Sequence, residues 1–126
     1  MKKLQPQETE LVGEWISSPE GVKGNQACDR IEWLLAGILR YVAVDEKSGG
    51  WDKVYLDPED GRYWLLSYPQ SHMHGGGPPK LTYLRLSESE VKEKFVSAEE
   101  WKARMERFRR ERNIRPFTKG DAERKK

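Results

Sequence analysis

The stretch from Asp57 to Leu81, DPEDGRYWLLSYPQSHMHGGGPPKL, organises the chain around it. Asp57-Pro58-Glu59-Asp60-Gly61 is a strong turn signal, because proline presets one turn dihedral and glycine accepts positive φ. Arg62–Tyr68 then returns as an antiparallel strand after Trp51–Leu56, and Lys80–Leu86 makes a further strand beyond the glycines. Three glycines followed by Pro78 and Pro79 cost backbone entropy and remove two amide donors. Such a loop holds a particular backbone path or presents a rigid surface, and it contains both histidines of the chain, His72 and His74.

Working outward, Leu11–Ile16 reads as a first strand, stopped by the turn residues Ser17, Ser18, Pro19 and Gly21. Asn25 suits an N-cap for a helix over Gln26–Leu35, with Cys28, Ile31, Leu34 and Leu35 at helical spacing and Gly37 at its end. Ile38–Val44 is extended, and Ser48-Gly49-Gly50 turns into Trp51–Leu56. The order β-α-β-β-β-β predicts an α+β fold: a mostly antiparallel sheet of about five strands, one helix packed on a face, and a C-terminal helical extension. Residues 1–95 form the α+β domain in this reading, and 96–126 a charged extension with a frayed end.

Ser87-Glu88-Ser89-Glu90 fits a capping box, and Ser97-Ala98-Glu99-Glu100 repeats the pattern ahead of a helix reaching about Asn113. Trp101, Met105 and Phe108 fall on one side of that helix. Alternation places Tyr63 and Trp64 on opposite faces of one strand, so Trp51, Tyr55, Tyr63, Trp64 and Tyr68 cannot all share a core under one helix. Either the C-terminal helix covers the second face, or some aromatics point outward as interface anchors. Arg30 and Glu32 read as an ion pair along the first helix.

Charge is uneven. Residues 97–126 hold 11 Lys and Arg against 6 Asp and Glu, leaving 12 against 15 in residues 1–96. The folded part is mildly acidic, which argues against a nucleic-acid grip there; the basic tail allows weak contact with an acidic surface. A single cysteine, Cys28, cannot form an internal disulfide and suits a reducing cytoplasm. MKKLQPQETE lacks the apolar run of a secretory signal, and no segment has the length of a membrane span. A cytoplasmic protein is the expectation.

His72-x-His74 invites a metal reading, but zinc sites take three or four ligands with His or Cys predominant, and only Cys28 remains. His74-Gly75-Gly76-Gly77 is like the oxyanion segment of lipases, yet the G-x-S-x-G elbow it serves is missing. The glycines also lack the Gly-Lys-Ser/Thr ending of a phosphate-binding loop. Glu14, Glu32, Asp57, Glu59 and Asp60 could supply a carboxylate pair, but turn chemistry accounts for Asp57 and Asp60. No catalytic residue, metal or cofactor is assigned. A small hydrolytic or metal-dependent enzyme using His72 and His74 is the alternative.

An ordered series of motifs carries a family resemblance. It runs Thr9-x-Leu11-x-Gly13-x-Trp15, Cys28-x-Arg30-Ile31-Glu32, Gly50-Trp51 and Tyr55. It continues with Asp57-Pro58-x-Asp60-Gly61-Arg62-Tyr63-Trp64, Tyr68-Pro69-Gln70-Ser71 and His74-Gly75-Gly76-Gly77-Pro78-Pro79-x-Leu81. This series, from about Glu8 to Phe95, resembles the immunity protein 27 family of bacterial polymorphic toxin systems. The resemblance implies a small α+β protein with no reaction of its own that binds a cognate toxin domain and blocks it. The expected contacts are Arg62, Trp64, Tyr68, His72, His74, Pro78 and Pro79. The extension from Val96 lies outside the pattern.

Overall fold

The computed structural model describes residues 1–70 and 77–114. Its centre is the turn that the sequence marks most strongly. The Asp57 amide donates to the Arg62 carbonyl (2.9 Å) and the Gly61 amide to the Asp57 carbonyl (2.8 Å), with Gly61 at φ 77°. Asp57 Oδ1 and Asp60 Oδ1 accept from the amides of Glu59 and Arg62, so both carboxylates hold the turn. This turn joins β5 (Lys53–Leu56) to β6 (Tyr63–Ser67), and β7 (Lys80–Leu84) follows along the other side of β6. With β1 (Glu10–Val12), β4 (Arg40–Val44) and β8 (Val96–Ser97), they form one antiparallel sheet in the order β1-β7-β6-β5-β4-β8. The fold is α+β, with six strands in the main sheet rather than about five.

The expected first strand divides in two. Gly13 interrupts it, where a Cβ would lie 2.6 Å from the Pro79 carbonyl oxygen and 2.7 Å from Cys28 Sγ. The chain leaves the sheet there and makes a separate hairpin, β2 (Trp15–Ser18) and β3 (Gly21–Gly24), so Ser17 and Ser18 lie in a strand and only Pro19-Glu20 turn. Asn25 caps α1 (Gln26–Gly37), its Oδ1 accepting from the Cys28 amide at 3.0 Å. The same oxygen accepts from the Glu14 amide, tying the hairpin to the helix start.

Alternation along β6 sorts the core into two layers. Trp64 and Leu66 face α1 with Ile31, Leu34, Leu39 and Leu81. Tyr63 and Leu65 face the other way, toward α2 (Glu88–Lys94), whose Val91 is buried with Ala43 and Val54. The Ser87–Glu90 capping box is present in full, with the Glu90 amide on Ser87 Oγ (3.2 Å) and the Ser87 amide on Glu90 Oε1 (2.9 Å). The cover of the second face is therefore this short helix, not Trp101, Met105 and Phe108. Those belong to α3 (Ala98–Ile114), which packs beside β4; Trp101 lies against Gly50, while Met105 and Phe108 are exposed. Val96 and Ser97, placed in the extension by a division at residue 95, pair with Val44 and Ala43 inside the sheet. Helix and short strand together shield the β4 edge from further pairing.

The Arg30–Glu32 pair does not form. Arg30 instead reaches across to the N-terminal segment, gripping both carboxylate oxygens of Glu8 (2.7 Å each) and the carbonyls of Lys2 and Lys3. The Arg30 hydrogen bonds hold the Glu8 carboxyl at about 2, against 4.5 ordinarily. A carboxylate with a lowered folded-state pKa adds stability above its unfolded pKa and loses it as the pH falls through the folded one. Glu8→Gln is therefore expected to cost on the order of 1–2 kcal/mol at neutral pH, allowing for partial exposure. Urea titrations should show the gap between wild type and variant closing between about pH 4.5 and about pH 2.

Candidate functional site

The anticipated contact residues separate once placed in the fold. Trp64 is fully buried, so it cannot meet a partner, and its Nε1 has no hydrogen-bond acceptor among the described residues. Pro78 is buried as well, and the half-buried Pro79 uses its carbonyl to accept from the Gly13 amide at 2.8 Å. The Arg62 side chain is 13% exposed. It donates to Asp60 Oδ2 (2.7 Å) and to the carbonyls of Glu8 (2.8 Å) and Gln5 (2.9 Å), while its guanidinium lies 4.8 Å from the Trp64 ring and 5.2 Å from Tyr83. These are the contacts of a cross-link inside the fold. His72 and His74 lie outside the described residues.

Tyr68 alone of the expected set joins an open aromatic surface among the described residues. Its ring meets Trp51 edge-on, with centroids 6.1 Å apart and planes at 80°. Trp51 precedes β5 instead of entering it, and is 65% exposed. Cross-strand register brings Tyr41 opposite Tyr55 on the same face, with ring centroids 5.7 Å apart and Lys53 Nζ 5.8 Å from the Tyr41 ring. A bulge at Val42 lets Ala43 pair with Val54, sending the next small apolar side chain to the α2 layer. α1 packs against β1 and β7, and on the β4–β5 side of this face Tyr41 is left 38% exposed while Tyr55 is half-buried.

Burial raises all three phenol pKa values, with the neighbouring Tyr41 and Tyr68 adding to the effect at Tyr55 and Glu32 adding to it at Tyr68. A phenol is protonated at neutral pH even without such a shift, so the hydroxyls can act as hydrogen-bond donors. Beside them Gly49, Gly50, Trp51, Lys53 and Tyr68 line a shallow depression of about 280 Å³. Large rigid rings with polar tips and few rotatable bonds are the residues that dominate protein interfaces. No group of three or more His, Cys, Asp and Glu is assembled for metal binding among the described residues. Asp57, buried at 1% exposure, has its carboxyl pushed up by burial and serves the turn.

Comparison with known families is decisive at this point: residues 17–85, more than half of the chain, match immunity protein 27. The chain belongs to the immunity protein 27 family. No curated protein and no solved structure matches it. The span shared with immunity protein 27 starts inside β2 and ends just beyond β7, so it contains α1, β4, β5 and β6 and every residue of the aromatic surface. α2, β8 and α3 lie beyond it. No helix among the described residues of this immunity protein 27 member is long and apolar enough to cross a membrane.

Tyr41 is the surface residue that sequence reasoning missed. Its strand was readable, but its pairing with Tyr55 depends on the bulge one residue on. Trp51 and Tyr55 were in the ambiguous aromatic set, and the available signal was their spacing on either side of Lys53.

Proposed function

We propose that this chain binds a cognate toxin domain in the bacterial cytoplasm and neutralises it by steric occlusion, through the surface formed by Tyr41, Trp51, Tyr55 and Tyr68. The observation that carries this reading is the exposed Trp51 seated edge-on against Tyr68, inside the family-defining span of an immunity protein. An anchor of that size, held in place before binding, loses little conformational freedom on association, which favours a tight inhibitor. Protonated phenols supply donors for acceptors on the toxin.

The test is co-expression with a candidate cognate toxin domain, sought among the genes adjacent to this one. Cells carrying both are expected to grow, and the two chains are expected to co-purify as a stable complex. Growth arrest despite soluble expression of this chain would remove the immunity reading. Protection without any physical complex would remove occlusion.

A further inference from the structure

On the α2 side of the sheet, opposite the aromatic surface, a trough of about 610 Å³ runs between α2 and the start of α3. Val42, Leu56 and Tyr63 form its floor, Val91 and Phe95 a wall, and Arg104 part of its rim. Its size and apolar floor suit one or two large side chains.

α3 both borders this trough and carries apolar side chains that stay partly exposed, Phe108 being flanked only by the Arg112 guanidinium of its own helix, 5.6 Å from the ring, among the described contacts. Its base is fixed, since Trp101 packs on Gly50 and Arg104 bonds Glu46 (2.6 Å) and Glu100 (2.8 Å). Beyond it Met105 is 38% and Phe108 55% exposed. Phe108 follows Arg104 by four residues, on the same side of the helix and about 6 Å further along its axis. A rigid helix cannot return that ring to the trough at its own base.

Charge runs along α3 in one direction. Glu99 and Glu100 occupy its first turn, while Arg107, Arg109, Arg110 and Arg112, with Glu106 and Glu111, populate its far half. Two such helices placed antiparallel about a point near Arg104 set each acidic first turn against the other's basic half. Their macrodipoles also oppose favourably. The same placement carries Phe108 of each copy over the Glu100–Arg104 rim of the other.

We infer that two copies of this chain associate about a two-fold axis through antiparallel α3 helices, each lodging Phe108 in the other's trough. The contact is isologous, so it closes at a dimer. It leaves the aromatic surface on the α1 side of each copy free, and the inference stands independently of toxin binding.

Light scattering coupled to gel filtration, on the full chain across a concentration series, tests this. The expected result is a dimer mass at high concentration. Phe108→Glu should weaken dimerisation by about 100-fold or more, because both copies lose a buried ring and place a carboxylate in an apolar trough. Its far-ultraviolet circular dichroism should match wild type. Glu99→Arg and Arg109→Glu should each weaken it by about 3- to 10-fold, and the double variant should recover part of the loss. A wild type that stays monomeric at every soluble concentration overturns the inference, as does a dimer indifferent to Phe108→Glu. A monomer whose toxin binding falls with Phe108→Glu assigns the face to the toxin instead. A monomer that dimerises only after removal of residues 115–126 assigns the trough to the chain's own C-terminus. Either result overturns the two-fold contact.

Discussion

Trp51→Ala is expected to weaken the complex with the toxin domain by about 30-fold or more, the loss that follows from truncating a central aromatic anchor. The change should leave the fold almost untouched. Trp51 is 65% exposed and precedes β5, so its removal deletes the edge contact with Tyr68 and little else, a cost below about 1 kcal/mol. Calorimetric titration against the toxin domain, with a thermal melt of the free variant, separates the two effects. Tyr68→Phe retains the ring that orients Trp51 but deletes the phenol donor, and should cause a smaller loss. Unchanged affinity for Trp51→Ala would move the toxin contact away from this surface while leaving family membership intact.

Arg62→Ala is expected to lower stability by about 2–4 kcal/mol in urea denaturation. The size follows from what the guanidinium does at one time. It satisfies the carbonyls of Gln5 and Glu8, pairs with Asp60 and lies over the rings of Trp64 and Tyr83. Its loss removes one of the two arginine anchors of the N-terminal segment that seats the buried Leu4, Arg30 being the other. Arg62→Lys should recover only part, since an ammonium lacks the planar fork that reaches several acceptors together. Lys3→Ala offers the contrast: Lys3 and Glu59 form an exposed bridge at 2.9 Å, worth at most about 1 kcal/mol. Equal effects at the two positions would refute the cross-link role of Arg62.

Arg62 also shows how much of a residue's role depends on neighbours distant in the chain. An arginine beside Trp64 in a family motif looks like a partner contact. Beyond the local Asp60 carboxylate, two of its acceptors lie 54 and 57 residues earlier in the chain, and no local pattern announces them. Arg30 is the same case at shorter range: Glu32 is near in sequence, but Glu8, 22 residues away, is the residue whose carboxylate meets the fork.

What the amino-acid sequence determined by itself is the set of features closed within a few residues. The Asp57–Gly61 turn, the Asn25 cap, the Ser87–Glu90 capping box and the alternation of β6 each rest on hydrogen bonds or steric preferences between near neighbours. The ordered motifs from Cys28 to Leu81 fall inside the matched span and likewise carried the family, while Thr9-x-Leu11-x-Gly13-x-Trp15 lies before it. The tertiary structure alone decided the departure of the β2–β3 hairpin at Gly13, α2 as the second cover of the sheet, the burial of Trp64 and Pro78, and the aromatic surface. Each of these depends on which distant backbone or ring occupies the neighbouring space. A strand pattern tells which side chains share a face, but which half of that face a twelve-residue helix covers is settled only when the helix docks.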